Sequence, residues 1–440
     1  MFKDRKLGYI ETLCQLGHDE VHGMGNISVL AKIRGPLSID ILRDASKYLY
    51  EHHPLLKASI FFDKEKDNYY FRFQNSFDDI PVEMIDLNEN AVNQIYESEL
   101  DKLFDIAHYL WRILLLNDKK QSNTHYIILS MHHSIADGIS SAYFIDELLG
   151  YCHSVFHKEK LLINPLPIYE SLEEISPDAP SWIDYLKGSQ ANEWGSIKKT
   201  SFEKYTTSMP YHQHQPLGKR QTHCLSFTLN KDLMERVKSK CKQEGTSVNA
   251  ALGASLLLSA QKQFQEPIKL MLYTAISLRE KCLPKIPVNE LGCYASVIKE
   301  EYFNIDIHMN FWDLARQYRS DLQRELNKRT DLFPKGTTLS EIRQTFNTDT
   351  ISQSKEFNLN YMLTNLGKMD FARSRKPFEL ENIRFVGSRQ GGDQVMVVAV
   401  LTVNDRMFLN FAYTHPLLSA EWAESFSKNF MDDLIRALDD

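Results

Sequence analysis

Residues His125–Leu149 read HYIILSMHHSIADGISSAYFIDELL, and their order decides how the rest of the chain is taken. The apolar run His125–Met131 has the length and composition of a strand. It delivers His132-His133. Three residues later comes Asp137-Gly138, and Ser140–Val155 then carries apolar residues at helical spacing. Adjacent strand residues point to opposite faces, so one His can face a cleft while its neighbour faces the core. Gly138 removes a side chain where a ligand or backbone approaches closely. Asp137 stands just before the helix start, where a carboxylate caps or pairs. A neutral imidazole, with its ordinary pKa of about 6.5, suits proton abstraction near neutrality.

Three other readings of the pair compete with a catalytic one. An HH dipeptide can be purely structural, and His52-His53 is read that way. HHxxxD could ligate a metal, but strand neighbours facing opposite sides cannot easily share one ion, and no HExxH or Cys-His companion is apparent, so no metal is expected. A Ser-His-Asp triad would need a strand-turn-helix elbow, and no GxSxG occurs in the chain.

Upstream, Ile27–Ile33 is strand-like and ends at Gly35-Pro36. A helix follows, capped by Ser38 or Asp40 and stopped at His53-Pro54. Leu56–Phe62 and Asn68–Phe73 are expected as paired strands across the charged turn Asp63–Asp67. Asn88–Phe104 is expected as a helix, and Trp111–Leu116 as the strand partner of His125–Met131. Downstream, Phe156–Ser181 holds Pro165, Pro167, Pro177 and Pro180 and reads as a linker into a short helix near Trp182–Gly188. The second half repeats the mixed grammar. Strands are expected at Thr222–Leu229, Ile268–Ile276 and Phe357–Leu363, the last ending at Asn365-Leu366-Gly367. Gln394–Val403 and Met407–Thr414 form a hairpin around Asn404-Asp405. Helices are expected at Asp232–Gln243, Val248–Phe264 with Ser247 as N-cap, Phe311–Glu325 and Glu421–Leu438. Neither half has the strict βαβ alternation of a doubly wound sheet. The expected class is mixed α/β in two domains, residues 1–178 and 179–440, with a site at their interface.

Composition narrows the function classes. The chain has 440 residues, 43% hydrophobic and 25% charged, enough for a core without disulfides or structural metal. A net charge of −7 and a pI near 6.1 argue against a nucleic-acid partner. Cys14, Cys152, Cys224, Cys241, Cys282 and Cys293 include no CxxC pair, which removes a zinc ribbon or redox motif and fits a reducing cytoplasm. MFKDRKLGYIETL lacks an apolar h-region, so no cleaved signal peptide is expected. No run approaches 18 apolar residues, so no transmembrane segment is expected either.

HHxxxDG after a strand, in a chain of this length, resembles the signature of the chloramphenicol-acetyltransferase-like superfamily. That group takes in condensation domains, plant BAHD enzymes, alcohol acetyltransferases and polyketide-associated acyltransferases. Four further blocks are similar in order: Arg34–Phe62, with its HPLLKA; the helix Ser247–Ala260; TAISLR at Thr274–Arg279; and NYMLTNLG at Asn360–Gly367, followed by HPLLS at His415–Ser419. The resemblance implies two acetyltransferase-like subdomains, each with a central mixed sheet, and an active-site tunnel at their interface. It implies His133 as general base and Asp137 ion-paired with Arg279, with His132 supporting the site. Gly138 would keep the thioester channel open, and Thr364 and Asn365 would line the tunnel. The plant DFGWG motif is absent; Asn365–Phe371 (NLGKMDF) is the nearest region.

The implied activity is acyl transfer of EC 2.3.1 type, from acyl-CoA or a phosphopantetheine-linked carrier protein to an alcohol or amine. No bound cofactor is implied, and a free-standing monomer is expected. The Gly138 N–H and the Asn365 side chain are the two candidate oxyanion donors. An amide- or ester-forming condensation enzyme working on a carrier protein, or a non-catalytic carrier-binding member, are the alternatives. Lys198-Lys199, Lys219-Arg220 and Arg373–Lys376 are candidate basic contacts for a CoA phosphate or an acidic carrier.

Overall fold

A computed structural model describes the chain except for residues 1–2, 88–90, 122, 182, 185–204, 329–332, 346–347, 373–374 and 440. The apolar runs of the two halves become the inner strands of two mixed sheets. In chain order the strands are β1 (Asn26–Arg34), β2 (Val82–Asp86), β3 (Trp111–Asn117), β4 (Thr124–His132), β5 (Gln221–Leu229), β6 (Lys269–Ser277), β7 (Ala295–Phe303), β8 (Asn360–Lys368), β9 (Glu379–Gly387), β10 (Met396–Val403) and β11 (Arg406–His415). The first sheet runs β9-β1-β4-β3-β2 and the second β7-β6-β8-β10-β11-β5. Among the described strands, only β2–β3, β6–β8 and β8–β10 pair in parallel.

β9 comes from the far end of the chain and still pairs antiparallel with β1, Ile383 opposite Ala31. It thereby extends the first sheet and binds the halves together. The alternating polar and apolar residues of ELENIRFVG fit a strand with one wet face.

The main helices are α1 (Tyr9–Glu20), α2 (Ile39–His52), α3 (Val92–Asp101), α4 (Gly138–Phe156), α5 (Lys231–Gln243), α6 (Val248–Gln261), α7 (Phe311–Lys328) and α8 (Ala420–Arg436). Ser38, Asp137, Asn230, Ser247 and Ser419 cap α2, α4, α5, α6 and α8 through their side chains. α2 and α4 pack together beside the first sheet. α6 is buried on every side from Ala250 to Gln261 and lies between α7 and α8. Gly253 admits the Tyr318 ring, which a Cβ there would meet at 2.7 Å. α3 reaches across to β5, whose Thr222 and Cys224 N–H groups donate to the Asp101 and Glu97 carboxylates, each at 2.7 Å.

Several expectations need revision. Leu56 is not in a strand: Pro54–Lys57 is a single 3-10 turn led by Pro54, and the strand begins at Ala58. It pairs with Asn68–Phe73, which also pairs with Arg5–Lys6 in a small three-stranded sheet. α3 stops at Asp101, because the Leu100 and Lys102 carbonyls accept from the Asn26 side chain, and Arg112 takes the Lys102 carbonyl as well. α6 stops at Gln261, short of Phe264. Phe357–Leu363 is divided into Glu356–Asn358, paired with Ser208–Pro210, and β8, which continues through Asn365-Leu366-Gly367 to Lys368 with a register shift between Asn365 and Lys368. The hairpin turn has both Asn404 and Asp405 at positive φ, the twist a two-residue turn needs. The helix expected near Trp182–Gly188 lies almost entirely outside the described residues.

Candidate active site

β4 ends at His132, and the turn Ile135 N–H to His132 carbonyl carries the chain into α4. The two histidines therefore part at a strand end rather than along a strand. His132 is fully buried. Its Nδ1 lies 2.6 Å from the Ser134 hydroxyl, and its ring stands 5.2 Å from that of His18. Burial, then the neighbouring His18 and His133, hold its pKa well below the usual histidine value. A ring held in this way stays neutral near neutral pH.

His133 is half-buried, and its backbone N–H donates to the Gly25 carbonyl at 2.8 Å. Its Nδ1 is 3.6 Å from the Sγ of Cys293, which belongs to the other half of the chain. Burial alone would lower the His133 pKa. The Cys293 sulfur and the ring's bond to its own carbonyl outweigh burial and push it up to about 9. The hydrogen bond from Cys14 to Cys293, opposed by burial and aided by the His133 ring, brings Cys293 down to about 6 and leaves Cys14 well above the usual thiol value. Nε2 of His133 has no hydrogen-bond partner among the described residues.

Asp137 joins the two loops. Its carboxylate pairs with the guanidinium of Arg279, and both residues are only 2% exposed. It also accepts from the Ser140 N–H at 2.9 Å, capping α4, and from the Tyr294 N–H at 3.1 Å. Burial would raise its pKa, but Arg279 and these backbone donors hold it below the usual carboxylate range. Arg279 in turn donates to the carbonyls of Pro287 and Glu290 at 3.3 and 3.1 Å, and its guanidinium stacks 4.9 Å from the centre of the Tyr294 ring. One carboxylate thus ties the His133 turn to the 287–294 loop that presents Cys293. Gly292, at φ +140°, allows that loop to pass Tyr294, whose ring a Cβ would meet at 2.6 Å.

Gly138 opens α4. The space its missing Cβ would take is filled by Leu366 Cδ2 at 2.8 Å and Phe385 Cε2 at 3.0 Å, so β8 and β9 close against it. Thr364 and Asn365 precede Leu366 on β8. The Asn365 amide donates to Asn249 at 3.2 Å, and its oxygen accepts from the Gly367 N–H at 2.9 Å. No hydrogen bond joins Thr364 or Asn365 to His133 among the described residues.

The basic clusters are partly structural. Arg220 is buried and donates to the Gln215 and Gly391 carbonyls, and Arg375 pairs with Asp146 at 2.9 Å. Lys198-Lys199 and Arg373 lie outside the described residues. Sequence reasoning missed Cys293, Cys14 and Tyr294, because no local spacing marks them. Among the described residues no helix is long and apolar enough to cross a membrane.

The condensation-domain family model matches residues 19–440. Among characterised proteins, the N-acetyltransferase SLI1 of Saccharomyces cerevisiae is 22% identical over 404 residues, covering 81% of this chain and 84% of that one. The nonribosomal peptide synthetase kk1B of Curvularia clavata is 28% identical over 148 residues, which is 32% of this chain and 1% of kk1B. The chain spans only 1% to 40% of the length of the first three curated relatives it matches. Among solved structures, the TRI3 trichothecene 15-O-acetyltransferase of Fusarium sporotrichioides superposes with a TM-score of 0.74 at 13% identity, over 99% of this chain and 95% of that one. The fold is the two-subdomain chloramphenicol-acetyltransferase-like fold.

Proposed function

Because this chain belongs to the condensation-domain family, we propose that it is an acyltransferase that moves an acyl group from a thioester to a hydroxyl or amine, with His133 as the general base. The observation that carries the reading is the placement of His133 between the halves. Its Nδ1 side is held by Cys293 and its Nε2 has no described partner. Nε2 is the atom that takes the proton from the acceptor as that group attacks the thioester carbonyl. The tetrahedral oxyanion then collapses, and the thiol leaves with a proton from the ring. Cys293 stabilises the imidazolium formed at that moment. The same pairing keeps the ring protonated more of the time at neutral pH, so the base form is a minority that alkaline pH enlarges.

Asp137 and Arg279 are positioning residues in this reading. The Asn365 amide is committed to Asn249 and Gly367, so the Gly138 N–H is the stronger candidate for oxyanion donor. The donor substrate is acyl-CoA or a phosphopantetheine-linked acyl carrier protein, and the acceptor a small alcohol or amine. A second reading, bond formation on a carrier-bound substrate, is favoured by the match to the peptide synthetase kk1B. The test is thiol release from a panel of acyl-CoAs and acyl carrier proteins, with and without simple alcohols and amines. Release that depends on a free alcohol or amine, from either kind of donor, supports the first reading. Release that needs an acceptor held on a second carrier protein, added as a further arm, supports the second, and no acceptor-dependent release from any donor counts against both.

A further inference from the structure

Cys14 on α1, His133 after β4 and Cys293 before β7 meet in one place. The two sulfurs and the ring nitrogen lie within 4.8 Å of one another, and Cys293 Sγ is 3.6 Å from His133 Nδ1. Zinc binds thiolate sulfur at about 2.3 Å and imidazole nitrogen at about 2.0–2.1 Å. At the tetrahedral angle those bonds set sulfur and nitrogen about 3.6 Å apart and two sulfurs about 3.8 Å apart. The Cys293–His133 edge already has the separation of a zinc tetrahedron, and the sulfur of Cys14 is within reach of closing the third corner.

The three carriers are held near one another by contacts that do not involve the ligand atoms. Gly25, at φ +103°, accepts from the His133 N–H and passes so near Cys14 that a Cβ there would stand 3.0 Å from the Cys14 carbonyl oxygen. Asp137 holds the Tyr294 N–H at 3.1 Å and so fixes the neighbouring Cys293. Such a set needs little rearrangement to close on an ion.

We propose that Cys14, His133 and Cys293 form a three-ligand site for a thiophilic divalent cation, of which zinc is the fitting one, and that its occupancy inhibits acyl transfer. Two sulfurs and one imidazole select zinc, cadmium and cobalt over calcium or magnesium, which take oxygen ligands. The fourth position is left to water. Ligation through Nδ1 obliges a neutral ring to carry its proton on Nε2, so the ring cannot accept a proton from the acceptor. The binding claim stands on geometry alone, while the inhibition claim rests on the proposed role of His133.

The experiment titrates the purified, reduced full chain with cobalt(II) and follows the near-ultraviolet thiolate-to-metal charge-transfer absorption, then displaces cobalt with zinc. One equivalent producing that band, reversed by zinc, is the expected result. Its absence in the wild-type chain overturns the proposal, whatever the enzyme's activity. Cys14→Ser and Cys293→Ser, checked for folding by thermal melting, are each expected to weaken zinc binding by more than about 100-fold, beyond the 10–100-fold typical of outer-shell changes. Unchanged affinity in both folded variants also overturns it. Zinc is expected to inhibit the wild type at concentrations that leave Cys14→Ser at its own uninhibited rate, and equal inhibition of both refutes the inhibitory role.

Discussion

Replacing Asp137 by Asn tests what ties the two halves at the site. The substitution keeps the shape and removes the charge, leaving the Arg279 guanidinium, 2% exposed, without its carboxylate. An Asn oxygen can still accept from the Ser140 or Tyr294 N–H, but its NH2 group would face the guanidinium donors. Removing one partner of a buried ion pair typically costs about 3–5 kcal/mol. At an unfolding entropy of about 2.1 cal/mol/K per residue, 440 residues unfolding together give about 0.9 kcal/mol/K. The melting temperature should therefore fall by about 3–5 °C. Adding Arg279→Met removes the stranded charge and should restore part of the loss. The assay is a double-mutant cycle by urea unfolding. Additive single costs, with a coupling below about 0.5 kcal/mol, would refute the claim that these residues act as a pair. Because Asp137 also holds the loop bearing Cys293, the transfer rate of folded Asp137→Asn should fall as well.

Glu300→Gln tests a buried carboxylate on β7. Burial, then Asp321 and Glu325 on α7, push the Glu300 pKa up to about 8, against the lesser effects of Tyr302 and Arg324. The folded state holds that proton more tightly than the unfolded chain, so wild-type stability is lost as pH rises from about 4.5 to about 8. The variant's advantage in urea unfolding should grow across this window and then level; a flat difference would contradict the assignment. Gly138→Ala would place a methyl against Leu366 and Phe385. Overpacking costs about 1–3 kcal/mol, and better helix propensity at most about 1 kcal/mol in return. Lower stability and slower transfer are expected, and an unchanged melting curve would contradict it.

Local features were legible in the sequence. The strand, the histidine pair, the Asp-Gly and the helix are contiguous; Ser38, one of two residues offered as a cap, caps α2, and Ser247 caps α6 as expected. The Asn404-Asp405 turn carried its own signal. β7 and β9 went unread because ASVIKEEYF and ELENIRFVG mix charge into strands with a wet face. α1 went unread because Glu11, Thr12, Gln15 and His18 are among its buried residues, which blurs its apolar stripe. The contact of Cys293 with His133 spans 160 residues of chain, and no spacing rule reaches that far. The same distance hides how Asp137 works: its ion pair spans 142 residues, and its second bond goes to a backbone N–H whose loop only the fold brings near.

In the proposed reaction Nε2 of His133 takes the acceptor's proton. The direct measurement is acceptor-dependent thiol release by His133→Ala beside the wild type, with the best donor from the panel and both proteins melting at similar temperatures. The variant is expected to lose about 10²- to 10⁴-fold in rate, the usual worth of a positioned base. Equal release by the two folded proteins would contradict it.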